Sequence, residues 1–183
     1  MRLLFSKIIL CAILAGGFAA SGYAAEPGWN EAGVRMGIQA TPKHETFHQY
    51  EAFAAYGLPW DWRGSSGWGV SPQLNGSVGV LSGGDDTGFI GSVGTALVLD
   101  KGRYGFSTDL GINVNVLDRR QFGRQDFGSV VQFGAYLGVN YCFRTGLKIG
   151  YHIQHISNGH ILYAQDTPNP GLDMHLIGIS YAF

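Results

Sequence analysis

The stretch "YGFSTDLGINVNV", Tyr104–Val116, decides the fold. Tyr104, Phe106, Thr108, Leu110, Ile112, Val114 and Val116 fall on one face, and Gly105, Ser107, Asp109, Gly111, Asn113 and Asn115 on the other. A period of two over this length is a β-strand. Strands of a water-soluble sandwich turn charged residues outward, whereas the continuous face here is aliphatic and aromatic. A strand can present such a face to hydrocarbon only inside a closed barrel, where every backbone N–H and C=O is paired within the wall.

The same alternation recurs along the chain. In 127–143, Phe127, Val131, Phe133, Leu137, Val139, Tyr141 and Phe143 read as outward, with Gln132, Gly134, Gly138 and Asn140 inward. In 172–183, Ile177, Ile179, Tyr181 and Phe183 oppose Gly178, Ser180 and Ala182. Five less regular segments, 29–40, 46–58, 69–82, 88–99 and 147–157, bring the expected strands to eight, an even number and the smallest common barrel. Aromatics near expected strand ends (Trp60, Trp62, Trp68, Tyr104, Phe143) suit interfacial girdles. Glu31, Arg35, Glu51, Asp109 and His152 read as inward, forming ion pairs and hydrogen bonds in a filled lumen. The expected fold is all-β: an eight-stranded antiparallel transmembrane barrel of the bacterial outer membrane.

Composition agrees. Charged residues make up only 14% of the chain, against about 25% in an average soluble domain, while 29 glycines and 13% aromatics favour a barrel wall. The net charge of −1 offers no basic field for nucleic acid. Residues 1–24 read as an export signal: Arg2 and Lys7 precede an apolar run from Ile8 to Ala20, and the small residues of Gly22-Tyr23-Ala24 mark a cleavage point. Residues 25–183 are then the barrel domain. Cys11 leaves with the signal, so Cys142 has no disulfide partner, and zinc-binding Cys pairs are absent from the sequence.

Eight strands with both ends in the periplasm fix the sidedness of the loops. "DKGR" (Asp100–Arg103) and "FRTG" (Phe143–Gly146) become short periplasmic turns, although "PWDWRGSSGWG" (Pro59–Gly69) is long for one. "DRRQFGRQD" (Asp118–Asp126) and Asn158–Gly171 become external loops. Arg119, Arg120 and Arg124 crowd the first of these, and guanidinium forks there would suit phosphate groups; a solvated loop explains them equally well.

Parity carried through 147–157 turns Leu147, Ile149, Tyr151 and Ile153 to lipid, and with them His155 and Ser157 at the external end. In the final strand, the face of Ile177 and Phe183 also carries His175 and Asp173. Ionisable groups facing lipid are costly, which favours a functional reading. A base beside a serine makes its hydroxyl a nucleophile, and a carboxylate orients that base. Ser157, His155 and Asp173 therefore form a candidate acyl-transfer triad, with Asn158 or a nearby backbone N–H at the oxyanion. Asp166, in the external loop, is the rival third member. For His175 a girdle role fits better than a catalytic one. A metal site built from His152, His155 and His160 is disfavoured, because His152 and His155 face opposite sides of the wall.

"HISN" (His155–Asn158) followed by "PNPGLD" (Pro168–Asp173) resembles the outer-membrane lipid A 3-O-deacylase (PagL) family, whose members are eight-stranded barrels with a His-x-Ser-Asn motif followed by a Pro-Asn-x-Gly segment and an acidic residue. The resemblance implies Ser157 as nucleophile, His155 as base, Asp173 as orienting acid, and Asn158 and Asn169 as supports. It implies lipid A (lipopolysaccharide) as substrate, surrounding outer-membrane lipids and the assembly machinery that reads the terminal aromatic strand as partners, and no cofactor or metal; a homodimer is left open. Two departures stand out: Asp173 replaces the glutamate of the best-known member, and "GHILYAQDT" lengthens the loop. The rivals are an outer-membrane phospholipase-type hydrolase, which needs twelve strands and calcium, and a non-enzymatic adhesive or structural barrel. Twelve strands do not fit into this length.

Overall fold

The computed structural model describes residues 26–162 and 164–183, so the expected signal at 1–24 lies outside the described residues. Eight long strands form an up-and-down meander: β1 (Gly28–Gln39), β2 (Phe47–Gly57), β3 (Gly69–Gly83), β4 (Asp86–Asp100), β5 (Gly105–Leu117), β6 (Val131–Cys142), β7 (Leu147–Ser157) and β8 (Leu172–Ala182). Each pairs antiparallel with its sequence neighbours, and β8 pairs back onto β1 from Ala182↔Glu31 to Met174↔Gln39, so the sheet closes without an edge. Closure is what makes the apolar exterior tenable, since edge N–H and C=O groups in hydrocarbon would cost several kcal/mol each, roughly.

The alternation of β5 is realised residue by residue: Phe106, Leu110, Ile112, Val114 and Val116 are exposed on the wall, while Asp109, Asn113 and Asn115 are buried in the lumen. Trp29, Trp60, Trp62, Trp68, Tyr104, Tyr141, Phe143 and Tyr181 are exposed around the periplasmic end. The long periplasmic connection is itself a small hairpin, in which Trp62 pairs with Val70 and Arg63 with Gly69. Arg63 holds it by bonding Asp61 (2.6 Å) and Asp100 (2.7 Å).

The lumen has two compartments. Its periplasmic and middle parts carry a polar network: Arg35 pairs with Glu51, Lys148 with Glu31 (2.5 Å), and Asp109 accepts from Asn140 (2.6 Å) and meets His152 (3.1 Å). Small and large residues interlock there, Gly111 lying beneath the ring of Tyr136 where a methyl group would collide at 2.3 Å. The external part holds an apolar plug of Phe47, Leu81, Ile90, Leu117, Phe122, Phe127, Ile156, Leu172, Met174 and Leu176.

Phe127 corrects the sequence reading. The expected strand over 127–143 starts only at Val131, and Phe127 is wholly buried against Phe47 and Phe122 instead of facing lipid. Gly128, at φ +73°, breaks the strand, because that backbone conformation reverses the chain and turns the preceding ring inward.

Candidate active site

Ile156 and Leu172 are opposed in the β7–β8 ladder, and both point into the plug. Anchoring these two residues fixes the parity of their neighbours. His155 and Asp173, the next opposed pair, therefore stand together on the outer wall. Directly opposed residues have Cβ atoms about 4.5–5.5 Å apart, and here the side chains bond: His155 Nδ1–H donates to Asp173 Oδ1 at 2.6 Å. Ser157 follows on the same face of β7, about 7 Å along between Cα atoms, and is partly exposed. Asp166 lies exposed in the loop beyond, so the carboxylate that meets His155 is Asp173.

The loop that leaves Ser157 is organised by Asn158, whose side chain is fully buried. Its Nδ2 donates to the carbonyls of Phe127 (3.1 Å) and Pro168 (2.7 Å), and its Oδ1 accepts from His160 N (3.0 Å). Both amide hydrogens are thus committed to loop carbonyls. Its backbone N–H donates to Asn169 Oδ1 (3.0 Å), which orients the Asn169 amide beside the end of β7. His160 Nε2 reaches the carbonyl of Thr167 (3.0 Å), drawing the two ends of the loop together.

Gly171 closes the loop at φ +62°, and a Cβ there would lie 2.9 Å from His155 Cε1. The bare backbone is what lets the returning chain pass against the imidazole. Sequence reasoning missed Thr41, in the β1–β2 loop, which donates from Oγ1 to Asp173 Oδ2 at 2.7 Å. No motif marks it; only the contact of the first strand with the last brings it to the site.

Further down the wall, Tyr151 Oη and His175 Nδ1 bond at 2.6 Å with their rings stacked, so His175 pairs with a girdle-like tyrosine. His152 points into the lumen. The three loop arginines each meet carboxylates: Arg119 pairs with Asp118 and Asp86, Arg120 with Asp126, and Arg124 with Glu45. These bonds knit external loops together. Glu45 accepts from both the backbone N–H (2.9 Å) and the guanidinium (3.2 Å) of Arg124, and these bonds hold its carboxyl below the ordinary glutamate value.

A family model described as lipid A 3-O-deacylase (PagL) matches residues 48–182. Among solved structures, the crystal structure of the outer membrane enzyme PagL superposes with a TM-score of 0.67 at 19% identity, covering 82% of this chain and 99% of that one. The Yersinia pestis outer membrane protein Ail, in a phospholipid bilayer nanodisc, gives a TM-score of 0.43 at 13% identity over 84% of this chain and 99% of its own. A comparison with curated protein sequences gives no match.

Proposed function

Because the chain belongs to the lipid A 3-O-deacylase (PagL) family and is a bacterial outer-membrane barrel, we propose that it hydrolyses the ester-linked 3-hydroxyacyl chain at position 3 of lipid A with Ser157, His155 and Asp173. The observation that carries the reading is the 2.6 Å bond between His155 and Asp173, made between directly opposed residues of adjacent strands.

Lipid A in the external leaflet reaches such a site sideways, through the bilayer. His155 Nε2 takes the proton of Ser157 as the hydroxyl oxygen adds to the ester carbonyl. The tetrahedral oxyanion is met by the Asn169 side-chain NH2 and the backbone N–H of Gly159. The imidazolium, held in orientation by Asp173, then protonates the departing sugar oxygen and leaves an acyl-serine. Water, deprotonated by His155, releases the 3-hydroxy fatty acid and restores the serine. Arg119, Arg120 and Arg124, with exposed side chains, would meet lipid A phosphates on this reading while keeping their carboxylate partners.

The test is mass spectrometry of lipid A from cells producing the protein. Wild-type cells lose one 3-hydroxyacyl mass, whereas Ser157→Ala and His155→Ala cells do not, a fall in rate of about 10⁴-fold or more for a disabled triad. Continued loss of that mass in Ser157→Ala cells would refute the nucleophile. A parallel assay on phospholipid, with and without chelator, separates the phospholipase reading.

A further inference from the structure

We propose that Thr41 is a positioning residue of this site: its hydroxyl holds the Asp173 carboxylate in the plane that His155 requires. The inference rests on the triad reading above. Asp173 sits on β8 between β7, which carries His155, and β1, from which Thr41 follows. Its two carboxylate oxygens are engaged from opposite sides, Oδ1 by His155 Nδ1 (2.6 Å) and Oδ2 by Thr41 Oγ1 (2.7 Å). The terminal torsion of an aspartate is broad and soft, so one bond to an imidazole would leave the carboxylate free to swing. A second donor on the far oxygen removes that freedom, as outer hydrogen bonds do for other functional ligands.

Thr41 is itself fixed. Ala40 N–H donates to the Asp173 carbonyl (2.8 Å), and Lys43 Nζ to the carbonyl of Pro170 (2.8 Å). Gln39 spans the loop from within, donating to Thr41 O (2.5 Å) and accepting from Phe47 N (2.9 Å). The β1–β2 loop is therefore a strap across the seam where the barrel closes, with the hydroxyl aimed at the acid. Thr41 lies outside residues 48–182, which the family model covers.

Thr41→Val keeps the shape and removes the donor. With lipid A in detergent micelles, kcat is expected to fall about 10- to 100-fold, the range that a misplacement of up to 1 Å costs, with KM within about twofold by the same reasoning that only the chemical step is touched. Thr41→Ser restores kcat. Folding is followed by the heat-modifiable gel migration of the intact barrel, and Thr41→Ala serves as second variant if valine folds poorly. Asp173→Asn runs alongside. If it is inactive while Thr41→Val keeps wild-type kcat, the positioning role is overturned and the triad stands. If Asp173→Asn is fully active, the triad reading falls and the role of Thr41 with it.

Discussion

Replacing Gly171 by alanine separates stability from catalysis. The glycine sits at φ +62°, where an L side chain costs about 1–2 kcal/mol, and the added methyl would lie 2.9 Å from His155 Cε1. Ordinary contact begins near 3.4 Å, so the imidazole must yield by about half an ångström. That movement is cheap in energy, since the ring is the exposed end of a side chain on the outer wall. It is dear in geometry, because the ring carries the 2.6 Å bond to Asp173 and, on the proposed mechanism, the base for Ser157. A misplacement of 1 Å can lower a rate about 100-fold, so half of it predicts about 10-fold in kcat/KM. Gly102→Ala is the control: φ there is +117°, nothing lies within 4 Å of a new Cβ, and the turn is at the periplasmic end. It should lose stability alone. Initial rates on lipid A by mass spectrometry, with heat-modifiability of the folded barrel, measure both quantities. If Gly171→Ala matched wild type in rate, the claim that the returning chain holds the imidazole in place would be refuted.

Two further outcomes follow from the external loops. Asn158→Ala removes the donor to the Pro168 carbonyl and the acceptor for the His160 N–H, and leaves the Phe127 carbonyl only the 3.5 Å contact from Gln132, at up to about 1–3 kcal/mol for a group left unsatisfied where it is buried. Trypsin should then cut at Arg120 and Arg124 faster than in wild type while the barrel resists; unchanged cleavage kinetics would contradict the supporting role. Glu45, whose carboxyl is held below its ordinary value chiefly by the Arg124 backbone N–H, contributes order that is present above the unfolded glutamate value and lost as pH falls through the folded one. The protection of the amides across 121–126, taken as the exchange rate relative to the intrinsic rate at each pH, should fall between about pH 5 and 3, and Glu45→Gln should remove that dependence; protection in wild type that stays constant over this range would contradict it.

Much of the fold was legible because a wall two-sided in chemistry must alternate. β5, β7 and β8 carry their parity in plain view, and parity placed His155 and Asp173 on one surface before any coordinates. It also ranked Asp173 above Asp166, since a strand residue has a defined direction and a loop residue does not. Phe127 was misread because it continues the apolar rhythm of β6, and only the backbone at Gly128 shows that the rhythm ends there. Asn158 was flagged by its motif, but the commitment of its amide to Phe127 and Pro168 depends on how two external loops meet. The arginines were placed in the correct loop, yet Asp86 and Glu45 reach Arg119 and Arg124 from other hairpins. Thr41 was invisible for the same reason: 132 positions separate it from Asp173, and only the seam of the cylinder joins them.

The stopper of aromatic and aliphatic side chains at the external mouth bears on the cell as well as on the enzyme. A hydrated ion that enters from the periplasm meets charges already matched to one another, and beyond them a region where it would have to surrender its water. The packing thus closes the external mouth against hydrated solutes.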